Sequence, residues 1–236
     1  MYKTTLSIAA GAILIAAGIA SANGDGQKFT VRIENITQAD AFTASTGVKW
    51  SLAYSPGSAI VHTNNAPVFS AGEKDRGKGL EAQSEDGDPS KLADSLKGAK
   101  GIKSVAVFNQ PVGSSRPGPI PPGAAYEVTV SAAPGDRLTL TLMMGQSNDW
   151  FYAPTDSGIE LFKDGKPISG DITSQMMLWD AGTEIDQEPG IGSDQGPRQK
   201  APNTGKAENG VVKKVTDRKS YADAPSVMRV TIKSAI

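Results

Sequence analysis

Alternation of apolar and polar residues is the feature that most restricts the fold of this sequence. In residues 29–36, the apolar side chains fall on one face of an extended strand and the polar side chains fall on the other. The same period recurs in residues 104–108, 125–131, 137–143 and 226–233. Pro-Gly, Gly-Asp or Asp-Gly pairs lie between several of these segments, as turns between strands would. The pattern predicts an all-β protein, and an antiparallel β-sandwich rather than a helical bundle.

One short helix is indicated between two of the strands. Asp88 suits the capping position before the first turn, and Pro89 suits the first helical position. Leu92 and Leu96 share a face four residues apart, and Gly98 can close the end. A second helical turn is expected near residues 79–83. We therefore expect one or two short helices in the connections, without the strand–helix–strand alternation of an α/β fold.

The N-terminal segment is typical of a signal peptide. A lysine at position 3 precedes an apolar run over residues 6–19, and Ala20-Ser21-Ala22 forms the small-x-small pattern that signal peptidase cleaves after. A transmembrane anchor is the competing interpretation, but the run is shorter than the roughly 20 residues that a spanning helix needs. We predict a signal peptide over residues 1–22 and an exported product, periplasmic or extracellular, with residues 23–236 forming a single domain.

Composition restricts the partners and the chemistry. The sequence contains no cysteine, which removes disulfides, thiol catalysis and lipid attachment to cysteine. Lys and Arg together number 24 against 25 Asp and Glu, a balance that gives no strong attraction to polyanions or anionic membranes. We therefore expect no nucleic-acid partner and no membrane insertion of the mature chain.

Three acidic residues stand out by their positions. Asp149 follows the apolar run at residues 138–144, and Asp180 and Glu184 lie four residues apart around Gly182. Three hard oxygen donors on neighbouring loops suit Ca²⁺, and a glycine lets the chain bend so that two carboxylates face one ion. Taken as spacing alone, the pattern also fits a solvated turn, because the chain has 25 acidic residues.

Two other features lie next to these acids. Trp150, Phe151 and Trp179 are adjacent to them in sequence, and such aromatic residues belong either to the core or to a ligand platform. Residues 186–209 are dense in Gly, Pro, Asn and Asp, which predicts a long loop. That loop is either a disordered excursion or, because it follows the acidic motif directly, a functional element.

Five segments together resemble the spondin domain, in the form found in bacterial exported proteins. They are residues 29–35 (FTVRIEN), 79–90 (GLEAQSEDGDPS), 134–138 (PGDRL), 147–151 (SNDWF) and 179–184 (WDAGTE). The most specific part is Asp180-Ala181-Gly182-Thr183-Glu184 with Asp149-Trp150 upstream. The resemblance extends from Phe29 to the C-terminal strand, which is most of the mature chain.

The resemblance implies a C2-like antiparallel sandwich of about eight strands, with a calcium ion held in the loops at one end. Carried over residue by residue, the ligands are Asp149, Asp180 and Glu184. Animal spondins usually have Asp at the last of these positions, so Glu184 is longer by one methylene. The animal proteins also carry cysteines that this chain lacks, so their disulfides do not transfer.

Sequence motifs for catalysis are missing. The chain has one histidine, His62, and no Gly-x-Ser-x-Gly, His-Glu-x-x-His or phosphate-binding glycine loop. Zinc is disfavoured because its usual Cys and His ligands are nearly absent. A hydrolase that uses Asp149 and Glu184 as a carboxylate pair is the remaining enzymatic interpretation. We predict that the protein is not an enzyme.

The sequence thus predicts a secreted calcium-binding module for protein or surface interaction or adhesion. Calcium would order the loops at one end and present them, with Trp150, Phe151 and the 186–209 loop, to an unidentified protein or glycan partner. The alternative is a carbohydrate-binding module in which Trp150, Phe151 or Tyr152 stacks on a sugar beside the ion.

Overall fold

The computed structural model describes residues 26–63, 65–216 and 220–235; the predicted signal peptide, residues 1–22, lies outside these ranges. The strands are β1 (Gln27–Asn35), β2 (Phe42–Thr43), β3 (Lys49–Trp50), β4 (Tyr54–His62), β5 (Ile102–Phe108), β6 (Ala125–Ala132), β7 (Arg137–Met144), β8 (Trp150–Ala153), β9 (Ile159–Glu160), β10 (Phe162–Lys163), β11 (Lys166–Pro167), β12 (Gly170–Asp171), β13 (Met177–Asp180), β14 (Lys213–Lys214) and β15 (Met228–Ser234). The helices are α1 (Leu80–Glu85), α2 (Ser90–Leu96) and α3 (Ala224–Val227), with 3-10 turns at Thr173–Gln175 and Ser220–Ala222.

Two antiparallel sheets pack against each other. The smaller sheet has four strands in the order β12-β15-β1-β6. The larger has seven, in the order β14-β13-β8-β7-β4-β5 with β9 paired to β7. Two ribbons, β2–β3 and β10–β11, flank them. The predicted all-β fold and antiparallel sandwich are confirmed, whereas the C2-like arrangement stays a prediction from the resemblance.

Strand β1 shows why the alternation predicts the fold. Its apolar residues Phe29, Val31 and Ile33 are fully buried, and most of the polar residues between them are half-exposed. The strand lies between β15 and β6, so that Val31 faces Ile232 on one side and Val128 on the other. Each buried side chain of this size contributes about 1.5 to 3 kcal/mol to the sandwich.

The larger sheet is buried on both faces. In β7, Leu138, Leu140 and Leu142 belong to the core between the sheets. Thr139 and Thr141 point to the opposite face and are buried as well. There α1 packs on β7 and β8, and α2 packs on β5, around a second apolar cluster. Helices α1 and α2 therefore form a third layer on the sandwich.

The helices differ from the predicted ones by small shifts. Helix α2 begins at Ser90 and ends at Leu96, with Pro89 rather than Asp88 at the capping position. Asp88 still contributes, because its Oδ1 accepts a hydrogen bond from the Ser90 amide at 2.9 Å. Helix α1 covers the second predicted turn, and α3 is an addition to the prediction. No helix in the described ranges is long and apolar enough to span a membrane.

The 186–209 loop folds back on itself through side-chain hydrogen bonds. The side chain of Gln195 is buried; its Oε1 accepts from the Gly190 amide at 3.0 Å, and its Nε2 donates to the Glu188 carbonyl at 2.8 Å. Glu188 in turn accepts from the Ser45 amide at 2.6 Å, which ties the loop to the sandwich. The structure thus favours an ordered element over a disordered excursion.

Candidate metal centre

Pairing of β8 with β13 brings two of the predicted ligands to one end of the larger sheet. Asp180, the last residue of β13, lies opposite Trp150, the first residue of β8. Asp149 immediately precedes Trp150, so the Asp149 and Asp180 carboxylates lie at the same end of these two strands. Both residues are almost completely buried, at 0% and 1% exposure.

Asp186 is the third member of this group. One carboxylate oxygen from each of Asp149, Asp180 and Asp186 lies within 4.8 Å of the other two. Asp186 is exposed, and its Oδ1 accepts a hydrogen bond from the Trp150 indole nitrogen at 2.6 Å. In the sequence, Asp186 stands outside the Asp-x-x-x-Glu motif and is only the first residue of the long loop, so it was not predicted as a ligand.

Only one of the two Asp149 carboxylate oxygens has hydrogen-bond partners in the described part of the chain. Its Oδ2 accepts hydrogen bonds from the amides of Thr183 and Glu184, at 3.0 and 3.1 Å. Its Oδ1 is buried and has no hydrogen-bond partner among residues 26–63, 65–216 and 220–235. Burial, followed by repulsion from Asp180, raises the pKa of Asp149 to about 8, although the two amide donors oppose that change. An unpaired buried oxygen of this kind is what a bound cation would satisfy.

Asp180 is bound from two sides. Its Oδ1 accepts from the Gly182 amide at 2.7 Å, and its Oδ2 lies 3.1 Å from the Lys213 ammonium. Burial raises the pKa of Asp180, and Lys213 offsets part of that rise. Gly182 has φ of 68°, in the left-handed region. The predicted bend at this glycine is therefore present.

Glu184 binds the returning end of the long loop. Its Oε1 accepts from the Gly205 amide at 2.8 Å, and its Oε2 lies 3.4 Å from the Asn148 amide nitrogen. Burial raises the pKa of Glu184, while these donors lower it. Glu184 is not among the three carboxylates that lie together. Its predicted role as a calcium ligand stays a prediction.

The donor set fits a hard divalent cation. Three carboxylates close together repel one another, and a single Ca²⁺ or Mg²⁺ would neutralise most of their charge. Carboxylate oxygens without imidazole or thiolate disfavour zinc and copper. The half-satisfied Asp149 supplies a buried oxygen that is free to bind, so the residues present fit the calcium that the resemblance implies.

The aromatic residues beside the acids are part of the core. Trp150, Phe151 and Tyr152 are 2%, 0% and 0% exposed. Trp150 and Tyr152 pack between the sheets, and Phe151 packs edge-on against Phe69 under the helices, with ring centroids 5.3 Å apart. Stacking on a sugar needs an exposed ring face. The expectation that these rings form a binding platform, or are presented to a partner, is therefore wrong.

His62 is likewise packed inside the protein. It is fully buried, and its Nε2 lies 2.9 Å from the Thr139 hydroxyl. His62 is not part of the group of Asp149, Asp180 and Asp186. The predicted absence of enzymatic activity stays a prediction.

No protein-family model matches the sequence, and no curated protein matches it. The resemblance to spondin domains therefore depends on the motifs in this chain alone.

Proposed function

We propose that the protein is an exported, calcium-binding β-sandwich module of the spondin type that mediates contact with another protein at a surface. The observation that carries this proposal is the group of Asp149, Asp180 and Asp186, whose carboxylate oxygens lie within 4.8 Å of one another. The buried, unpaired Oδ1 of Asp149 supports a cation at this position.

Calcium in this site would act structurally. The three aspartates belong to three segments: the turn before β8, the end of β13 and the start of the 186–209 loop. One ion bound by all three would hold these segments in a fixed arrangement. The folded protein would gain stability in proportion to RT ln(1 + [Ca²⁺]/Kd), because the unfolded chain does not assemble the site.

A protein partner is favoured over a glycan. The aromatic rings that would stack on a sugar are buried, whereas two apolar residues are exposed at the base of the long loop. These are Ile185, at 45% exposure, and Val211, at 37%. The centre of a protein–protein contact is depleted of charged residues, so two exposed apolar side chains beside the loop suit a protein partner better than a sugar.

Thermal unfolding and calorimetric titration test calcium binding. The unfolding midpoint of the wild-type protein should rise at millimolar calcium relative to chelator, and Asp180→Asn should remove most of that rise. Asp164→Asn is the matched control, since Asp164 is an exposed acid in the turn between β10 and β11. An unchanged wild-type midpoint at millimolar calcium would sink the proposal.

Export is tested separately by expressing the chain with its N-terminus intact. Cleavage after Ala22 should give a secreted or periplasmic product that begins at Asn23, as measured by intact mass. A cytoplasmic product of full mass would contradict the proposed export.

A further inference from the structure

We propose a second divalent-cation site, centred on Glu85, in the cavity between α1 and the 186–209 loop. Its carboxylates, from Glu81, Glu85 and Asp86, are different residues from the group of Asp149, Asp180 and Asp186, and the site rests on its own observations. It would take a hard cation such as Ca²⁺ through carboxylate oxygens.

Glu85 is an unpaired buried acid. It is the last residue of α1, it is only 1% exposed, and both of its carboxylate oxygens are buried without a hydrogen-bond partner in the described part of the chain. A buried carboxylate without a partner is costly, whether ionised or neutral. Burial, with smaller contributions from the nearby acids Glu184, Glu81 and Asp149, raises the pKa of Glu85 to about 8, although the Thr183 side chain opposes that change.

The cavity beside Glu85 is acidic and large enough for a hydrated ion. Its volume is about 130 Å³, against the roughly 15 Å³ that one water needs. Glu81, Glu85 and Asp86 line it with carboxylates, and Asn203 from the long loop also lines it. An ion there could combine several of these oxygens with water, which is the coordination that calcium accepts.

The charge balance of this cavity favours a cation. Lys91 is the basic residue that lines it, against three acids, and Lys91 is exposed. With all three acids ionised the lining is net negative even with Lys91, and a divalent ion would neutralise that charge. Because Glu85 is buried, water screens this charge less than it would at the surface.

An ion at Glu85 would also fasten the long loop. The Oδ1 of Asp86 already accepts hydrogen bonds from the Gln199 side chain at 3.1 Å and from the Asn203 amide at 3.2 Å. These two bonds hold the loop against the end of α1, and Asp86 and Asn203 both line the cavity. A cation between Glu85, Asp86 and the loop would strengthen the same junction.

Calorimetric titration with calcium chloride, on the protein recovered after export, tests the second site. We expect about two ions per chain for the wild type and about one for Glu85→Gln. Asp164→Asn should bind the same number as the wild type. Gln has nearly the shape of Glu and carries no charge, so the variant should remain folded in chelator, with an unfolding midpoint no lower than that of the wild type.

The outcomes separate this site from the first. Asp180→Asn should lose one ion and keep the one that Glu85→Gln loses. If Asp180→Asn binds calcium like the wild type while Glu85→Gln loses an ion, the Glu85 site stands and the proposed function of the first site fails. If Glu85→Gln binds calcium like the wild type, the second site is overturned, and a proton or Lys91 neutralises Glu85 instead.

Discussion

The ammonium nitrogen of Lys213 lies 3.1 Å from the Oδ2 of Asp180. Strand β14 sets this contact, because Lys213 pairs directly with Asp180 across the β13–β14 ladder. Lys213 also lies 3.3 Å from Glu208. The protein therefore places a tethered positive charge beside the carboxylates that we propose as calcium ligands, where it offsets part of their repulsion.

Replacing Lys213 should lower the stability of the ion-free protein and increase the stabilisation that calcium gives. We expect Lys213→Met to lower the free energy of unfolding in chelator by about 1 kcal/mol, because the buried Asp180 loses its partner while Lys213 itself is half-exposed and screened by water. Calcium would then bind without competition from the ammonium. Urea denaturation with chelator and with calcium measures both effects.

Lys214→Met is the matched control for this experiment. Lys214 is the neighbouring exposed residue of β14 and faces Trp179 in the ladder. Equal behaviour of the two variants would show that Lys213 has no special role at the acidic group.

The stability of the ion-free protein should fall as the pH rises. The pKa values of Asp149 and Glu85 are both raised to about 8, and those of Asp180 and Glu184 are shifted in the same direction. In the unfolded chain these groups have pKa values of about 4. Between about pH 4 and 8 the folded state thus binds more protons than the unfolded state, so the free energy of unfolding decreases with pH.

Urea denaturation in chelator at pH 5, 6.5 and 8 measures this dependence. The stabilisation by calcium should increase over the same range, because calcium competes with protons for the carboxylates. The double variant Asp149→Asn with Glu85→Gln should show a flatter profile. An ion-free wild type that becomes more stable between pH 5 and 8 would contradict the raised pKa values of these acids.

The strands could be predicted because their pattern has one buried face. The alternation in residues 29–36 gave β1 to within two residues at each end, since its polar positions face solvent. The same rule was less informative for β7, where Thr139 and Thr141 are polar and yet buried beneath the helices. Threonine suits both a covered and an exposed face, so the sequence did not indicate a third layer.

The candidate site could be predicted only in part. Asp149 and Asp180 meet because β8 pairs with β13. The resemblance implied that the two acids share one ion, but the strand pairing that joins them was not predicted. Asp186 joins them through the course of a loop that depends on contacts such as that of buried Gln195 with Gly190. Hydrogen bonds of this kind have no sequence period. Glu85 was also missed, since a six-residue helix gives no clear sign of which residues it buries.

A pair of substitutions should distinguish the two candidates for the third calcium ligand. Asp186→Asn should weaken calcium binding by about tenfold or more, because ligand charge tunes calcium affinity over several orders of magnitude. Glu184→Gln should have a smaller effect, since its carboxylate is bound to the Gly205 amide at 2.8 Å. Calorimetric dissociation constants measure both. A larger loss in Glu184→Gln would instead favour the ligand set that the resemblance implies.

The glycine between the two acids should be intolerant of a side chain. Gly182 has φ of 68°, and a Cβ at this position would lie 2.7 Å from the backbone nitrogen and oxygen of Val211. Gly182→Ala therefore combines a left-handed backbone with a clash against main chain, and we expect a loss of at least about 2 kcal/mol in the free energy of unfolding. The response to calcium should fall as well, because Gly182 donates to the Asp180 carboxylate.

Gly165→Ala separates the cost of a left-handed backbone from the cost of the clash with Val211. Gly165 also has a left-handed φ, of 72°, but a Cβ there would meet nothing within 4 Å. It should therefore cost only about 1 kcal/mol, from the backbone alone, and leave calcium binding unchanged. If both alanine variants lost the same stability, the contact between Gly182 and Val211 would not be as close as the structure describes. The loss of stability in Gly182→Ala would then come from the left-handed backbone alone.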